Sequence, residues 1–268
     1  MRILLLSDIH ANIAALRAIE RDAGAVDAIY CAGDYVDYGT DPHEAIAWVR
    51  EHEARCVMGN HDRHLLNVLA SGETQALRGT DRFKWVHDNC ERVTAEDVAF
   101  LSALPLHLSF EADGIAYLMQ HQMKEGPLAY EMPESVQAFD AFWAQWHVGE
   151  ERLEKRMIFG HTHRRCVHAL DQGKLWLNPG SASYRRPDDR DKRAHYMLIE
   201  DGEIRFCAVE YDRSAMLRRA MDYVRSGTML PTELQDAMFF FGDAPTSREP
   251  LPMAQKQAEQ TYENNRRD

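Results

Sequence analysis

No two of the five cysteines in this 268-residue chain form a C-x-x-C pair, and Cys31, Cys56 and Cys207 sit within apolar, strand-like runs. A free thiol in such a run is usually a small core side chain. A disulfide framework and a thiolate metal site are therefore disfavoured, and a reducing compartment is expected. Nothing approaches the ~18 consecutive apolar residues that cross a bilayer. The N-terminal run Ile3 to Leu6 stops at Asp8, too soon for a signal h-region. A cytoplasmic protein without a membrane partner is the expectation. Positive charge is also in deficit. The formal net charge of −12 argues against a general nucleic-acid binder, which normally presents a basic face. A small phosphorylated substrate stays compatible with that charge, because bound divalent ions reverse the local field. No internal repeat is present, and at this length a core buries roughly three quarters of the unfolded surface without staples.

What is present is a rhythm of apolar runs and polar turns. Residues 2–7 form an apolar block of strand length, suited to a strand covered on both faces. Asn12 can cap a helix carrying Ile13, Leu16 and Ile19, with Gly24 as its stop. Ala28 to Ala32 reads as a second strand, Pro42 opens a helix through Val49, and Arg55 to Met58 reads as a third strand. This alternation implies a mainly parallel sheet with right-handed crossovers. Residues 64–105 turn helical and polar, and a hairpin around Asp113-Gly114 follows. Phe139, Phe142, Trp143 and Trp146 line one face of a helix. Strand-like pieces at 166–170, 174–177, 195–200 and 204–210 suit a second, largely antiparallel sheet packed on the first. A helix between Asp212 and Gly227 precedes one with Met238 and Phe239 to Phe241, more apolar surface than a free end should show. The expected organisation is one domain over residues 1–242 and a polar tail over 243–268.

Chemistry collects at the ends of the apolar runs. Asp8 and His10, and likewise His161 and His163, are two residues apart in extended exits, so each pair projects toward one side. Asp34 after Gly33 is suited to bridge two ions through its two oxygens, and Asn60 offers a hard amide oxygen without charge. In open α/β sheets, ligands bind beyond the carboxyl ends of the strands, where these motifs fall. Carboxylate, imidazole and amide donors in that arrangement are the ingredients of a two-metal phosphoryl-transfer site. The other histidines, His43, His52, His64, His87, His107, His147, His168 and His195, are read as ordinary surface or core groups.

Asp8-x-His10, Gly33-Asp34, Gly59-Asn60-His61-Asp62, His121 and Gly160-His161-x-His163 resemble the five blocks of the calcineurin-like metallophosphoesterases. Gly33 to Pro42 and the Asn178 to Ser181 turn are similar to the small bacterial and archaeal phosphodiesterase branch. The resemblance covers roughly residues 1–225. It implies an α/β protein, a four-layer α/β/β/α sandwich of two mixed β-sheets flanked by helices. It also implies that Asp8, His10, Asp34 and His163 hold one divalent ion, and Asp34, Asn60, His121 and His161 a second. A hydroxide bridging those ions would attack phosphorus, with His61 protonating the leaving group. Mn²⁺ is favoured over Fe, Zn²⁺, Ni²⁺ or Co²⁺ as occupant, although affinity order alone does not choose.

Asp62 is the usual neighbour of that histidine, and is grouped with it. Asp37 stands where small phosphodiesterases often carry glycine, and Gly-Asp-x-x-Asp looks like the protein-phosphatase version. A contact between Asp37 and His61 is therefore expected. Tyr38 replaces the arginine of that branch, and Ala11-Asn12 replaces its glycine after Asp-x-His, which turns the reading away from a protein phosphatase or a tetraphosphatase. Gln122 stands where glycine commonly follows the ligand histidine. Arg185 and Arg186 are candidates for holding substrate oxygens. The expected activity is hydrolysis of small phosphodiesters. The alternatives are a phosphomonoesterase or nucleotide pyrophosphohydrolase, and a non-catalytic scaffold of the same fold. A scaffold has no chemical reason to keep His61 with a full ligand set. The aromatic stripe of residues 139–146 is expected to be covered by the same chain or a second subunit, with a substrate wall as the alternative. Together with Phe239 to Phe241 it would serve a scaffold's partner or equally a homo-oligomer.

Overall fold

The computed structural model describes residues 1–124, 132–146, 153–183, 189–229 and 231–244. Strand β1 (Arg2–Leu6) shows why no alternation is visible in its sequence. Ile3 and Leu5 point into one core and Leu4 and Leu6 into another, so every position must be apolar. It is followed by α1 (Ile13–Ala23), β2 (Ala28–Cys31), α2 (Pro42–Glu51), β3 (Arg55–Cys56), α3 (Asn60–Ser71), α4 (Thr74–Leu77), α5 (Trp85–Cys90) and α6 (Ala95–Ala103). Next come the hairpin β4 (His107–Ala112) and β5 (Ile115–Gln120), α7 (Val136–Trp143), β6 (Glu154–Ile158), β7 (Arg165–Ala169) and β8 (Leu175–Pro179). A second hairpin, β9 (Ala194–Glu200) and β10 (Glu203–Val209), leads into α8 (Ser214–Arg225) and α9 (Pro231–Phe240).

The strands form two five-stranded sheets, ordered β10-β9-β1-β2-β3 and β4-β5-β6-β8-β7. Both are mixed: β1, β2 and β3 run parallel, as do β5, β6 and β8, while the flanking strands are antiparallel. Between the sheets lies a core of Ile3, Leu5, Tyr117, Met119, Ile158, Met197 and Ile199. Outside the first sheet, Leu4, Leu6 and Leu198 meet Leu16, Ile19, Ile46 and Val49 of α1 and α2. Outside the second, Ala116, Leu118 and Met157 meet Phe139, Phe142 and Trp143 of α7. Helix, sheet, sheet, helix is the four-layer α/β/β/α arrangement expected.

Two expectations are corrected. The segments near 195–200 and 204–210 were placed in the second sheet, but β9 and β10 extend the first, with Leu4 opposite Leu198 and Leu5 opposite Met197. The second sheet instead takes the β4–β5 hairpin and two parallel pairings, so it is not largely antiparallel. Apolar runs tell that a strand is buried on both faces, not which sheet buries it. For the aromatic stripe, cover by the same chain was one of the expected arrangements, and the structure has it. Phe139, Phe142 and Trp143 are covered by the second sheet, and Phe239, Phe240 and Phe241 by Trp85 and Met216. Most of the expected tail, residues 245–268, lies outside the described residues.

Helix starts follow local chemistry. Asn12 Oδ1 accepts from Ala15 N at 3.0 Å, one capping bond that stabilises α1 by about 1 kcal/mol. The Asn12 amide donates to Ser183 Oγ at 2.8 Å and Tyr211 Oη at 2.9 Å, tying that helix start to chain far downstream.

Candidate metal centre

The loops after β1, β2, β3, β5 and β6 meet at one edge of the two sheets. Their backbone is bent in an unusual way. Asp8, His10, Ala11, Asp34, Asp37, Tyr38, His161 and His163 all have φ between 48° and 71°, a region that non-glycine residues seldom enter. Such conformations cost of order 1–3 kcal/mol each, and they cluster where function demands a geometry. The other described cases, Glu53, Asp113, Gln172 and Asp201, are turn residues. The glycines of the motifs allow the loops to touch. A Cβ on Gly59 would lie 2.1 Å from Asp34 Oδ1, and one on Gly160 would lie 1.9 Å from Ser7 Oγ.

Two groups of donors result. Asp8, His10, Asp34 and His163 are buried, and each offers an atom within 4.8 Å of the others. His163 Nε2 is 3.1 Å from Asp8 Oδ1 and 3.3 Å from His10 Nε2. Beside them, Asn60 Oδ1 is 2.9 Å from His121 Nε2 and 2.8 Å from His161 Nδ1. Asp34 joins the groups, its Oδ2 lying 3.2 Å from His121 Nε2. His121 and the neighbouring Gln122 are both buried.

The donor chemistry fits divalent cations. His10 Nδ1 faces Val36 O at 3.0 Å and His121 Nδ1 faces Ala32 O at 2.6 Å. A carbonyl only accepts, so each Nδ1 carries hydrogen and, in the neutral ring, each Nε2 presents a lone pair. Asp34 Oδ2 is buried and faces His121 Nε2, while Oδ1 accepts from His61 N at 2.9 Å. Carboxylate, amide and imidazole groups gathered this closely in a buried space are what a divalent cation satisfies.

The protonation pattern agrees. Burial opposes ionisation of Asp8, but the adjoining His163 brings it down to about 2. His121 and His61 likewise overcome burial to hold Asp34 well below the carboxylate range. Burial, then His163, takes His10 down to about 3. Burial and the neighbouring His121 take His161 to about 4. His121 itself is carried against burial to about 9 by the charge of Asp34, so without an ion a proton occupies the space between them.

His61 stands apart from both groups. Its Nδ1 is 2.8 Å from Asp37 Oδ2, the contact anticipated from the Gly-Asp-x-x-Asp spacing. Burial works against its charged ring, but Asp34 and the Asp37 hydrogen bond lift it to about 10. Tyr38 packs on it with ring centroids 5.0 Å apart. Asp62, grouped with the catalytic residues from sequence, directs its hydrogen bonds to backbone amides. Its oxygens accept from Asp34 N, Tyr35 N and Gly59 N at 3.0, 2.8 and 2.8 Å, locking two motif loops together. It is a positioning residue, because a carboxylate with three backbone donors is committed to the loops. Arg185 and Arg186 lie outside the described residues. Among the other histidines, His43 faces Asp97, His52 stacks on Trp48 and His195 faces Asp191, ordinary packing roles.

Some supporting residues carry no motif signal. Ser7 Oγ donates to Asp8 Oδ2 at 2.5 Å, and Asn89 Oδ1 accepts from Asp37 N at 2.9 Å. Asn178 did have one, the turn through Ser181. Its amide donates to Gly160 O at 2.7 Å and Thr162 Oγ1 at 3.0 Å, holding the last motif loop.

Comparison with known proteins agrees with this fold. A crystal structure of a metallophosphoesterase from Sphaerobacter thermophilus superposes with a TM-score of 0.65 at 24% identity, covering 89% of this chain and 99% of that one. An uncharacterized protein of Methanocaldococcus jannaschii is 29% identical over 231 residues, 78% of this chain and 88% of its own length. A symmetrical bis(5'-nucleosyl)-tetraphosphatase of Stutzerimonas stutzeri is 24% identical over 260 residues, 70% of this chain and 90% of its own. The family model of the calcineurin-like phosphoesterase superfamily domain matches residues 1–201, and with it the chain belongs to that superfamily.

Proposed function

We propose that the chain is a dinuclear metal-dependent hydrolase of small phosphodiesters, with His61 as the general acid. The observation that supports this most is the placement of His61. It lies beside the donor groups, and its Nδ1 faces Asp37 Oδ2 at 2.8 Å, a contact that favours the protonated ring. An alkoxide leaving group needs such a proton, and a positioned acid contributes about 10²–10⁴-fold. Asp8, His10, Asp34 and His163 would hold one ion, and Asp34, Asn60, His121 and His161 the other. When bound, two ions polarise phosphoryl oxygens and make water acidic enough to attack at neutral pH. The chain's own part is to fix the donors, exclude bulk water from the buried carboxylates and hold the His61 proton at the leaving oxygen. Mn²⁺ is the first occupant to test, with Fe, Zn²⁺, Ni²⁺ and Co²⁺ as the others admitted by mixed N/O donors. Arg185 and Arg186 retain the role of gripping substrate oxygens, and residues 1–242 form the working unit.

The second reading is a nucleotide pyrophosphohydrolase, favoured by the likeness to the symmetrical bis(5'-nucleosyl)-tetraphosphatase of Stutzerimonas stutzeri. Against it stands Tyr38, a neutral ring where the resembling branch has a phosphate-gripping arginine. Hydrolysis of bis-p-nitrophenyl phosphate and p-nitrophenyl phosphate with added Mn²⁺ tests the diesterase reading. Faster turnover of the monoester overturns it.

A further inference from the structure

A general acid needs a ring held still as well as a proton. Asp37 Oδ2 meets His61 Nδ1 at 2.8 Å, so Nε2 is the nitrogen left for a leaving oxygen. One hydrogen bond at the ring's edge fixes a point and leaves the plane to other contacts. Two rings supply them. Tyr38 lies with its centroid 5.0 Å from that of His61 at an interplanar angle of 59°, and His10 lies 5.1 Å away at 88°. Tyr38 also meets His10 edge-on at 5.2 Å, an arrangement that ring quadrupoles favour, so the three rings form one contact group.

Tyr38 is itself held from two sides. Its backbone N–H donates to Asp37 Oδ1 at 2.8 Å, which leaves the other carboxylate oxygen for His61. Asn89 of α5 accepts from Asp37 N at 2.9 Å and donates to Gly39 O at 3.0 Å, tying this turn to α5. On the other side, the Tyr38 ring meets Phe240 of α9 edge-on at 6.2 Å and packs against the cluster of Trp85, Met216 and Phe239. Helix α9 is joined in turn to the start of α5, where Lys84 Nζ donates to Glu233 Oε1 at 3.1 Å. Phe240 is buried and lies beyond the residues 1–201 shared with the superfamily.

We infer that Tyr38 is a positioning residue for His61, and that α9, through Phe240, holds Tyr38 in place for the leaving-group step. The inference rests on His61 acting as the general acid. In that step the oxygen of water bonds to phosphorus and the P–O bond to the leaving oxygen breaks. The leaving oxygen takes the Nε2 proton, and a proton from the water restores the ring. A misplacement of about 1 Å can cost about 10²-fold, and here the cost falls on leaving groups that need the proton.

The full-length protein with Mn²⁺ is assayed on bis-p-nitrophenyl phosphate, which releases a weakly basic phenolate, and on diphenyl phosphate, which releases a more basic one. Phe240→Ala and Tyr38→Ala are each expected to lower kcat on diphenyl phosphate about tenfold and on bis-p-nitrophenyl phosphate about threefold at most, with KM little changed. Tyr38→Phe restores the wild-type ratio of the two rates. Phe240→Leu keeps most of the bulk, shows a smaller selective loss, and serves if Phe240→Ala does not fold. Equal losses on both substrates in the folded variants, or no loss, overturn the assignment, because a general loosening of the metal donors would slow both alike. Failure of the acid reading shows separately, as equal losses in His61→Ala or no hydrolysis of either diester. NMR relaxation of the labelled His61 ring then still reads the brace: faster ring motion in Phe240→Ala supports it, and unchanged motion overturns it.

Discussion

His61 and Asp37 are 24 positions apart in sequence and 2.8 Å apart in space, and under the proposed mechanism this pair sets the pH dependence of hydrolysis. An acid must carry its proton, and the Asp37 charge helps keep it there. Asp37→Asn removes that charge, so the pKa of His61 falls and the alkaline limb of the kcat/KM profile moves to lower pH. The loss with an unactivated diester is expected at about 10–100-fold, and His61→Ala should cost about 10²–10⁴-fold. Both are read from pH–rate profiles. Gly59→Ala places a methyl 2.1 Å from Asp34 Oδ1, so metal retained after dialysis, measured by elemental analysis, should fall sharply. Overpacking of this kind costs about 1–3 kcal/mol, visible in the urea midpoint. At this scale, sequence was most informative where a residue type has one use. Glycine next to Asp34, Asn60 or His161 marks a close approach, and paired aspartate and histidine mark donors. It was silent on Asn89 and Lys84, whose types serve anywhere, and misleading on Asp62, whose partners are backbone amides with no letter in the sequence.

Among the elements, α7 shows how a stripe of side chains is spent. Phe139 is fully covered by the second sheet, and removing it leaves a hole that the flanking strands cannot close. Phe139→Ala is expected to cost about 3–5 kcal/mol in chemical denaturation. If that stripe served an oligomer instead, the loss would depend on protein concentration. The helices and strands were largely readable, because Asn12, Pro42 and the runs between them act over a few residues. The partnership of β9 and β10 with β1 was not. It depends on which of two apolar faces finds an open sheet edge, a long-range fact that leaves no local trace. The short β3, two residues long where four were expected, departs at Val57 toward the donor loop.

Across the whole molecule, the C-terminal helices are fastened to the first layer by charge as well as by aromatic packing. Asp41, at the start of α2, is 2.7 Å from Arg219 of α8. Burial nonetheless pushes its carboxyl up to about 6, against an ordinary value of 3.8. A folded-state pKa above the unfolded one gives stability that is full below the lower value and lost as pH rises through the higher. Asp41→Asn should therefore gain on the wild type in urea midpoint between pH 4.5 and pH 7, and a constant difference would refute it. The pairing of β1 with β9 has one more consequence. On the ribosome, β1 is made some two hundred residues before this neighbour. Until then Leu4 and Leu5 have a bare edge on one side, so nascent chains stalled before that hairpin should stay protease-sensitive and recruit chaperones, and longer ones should not.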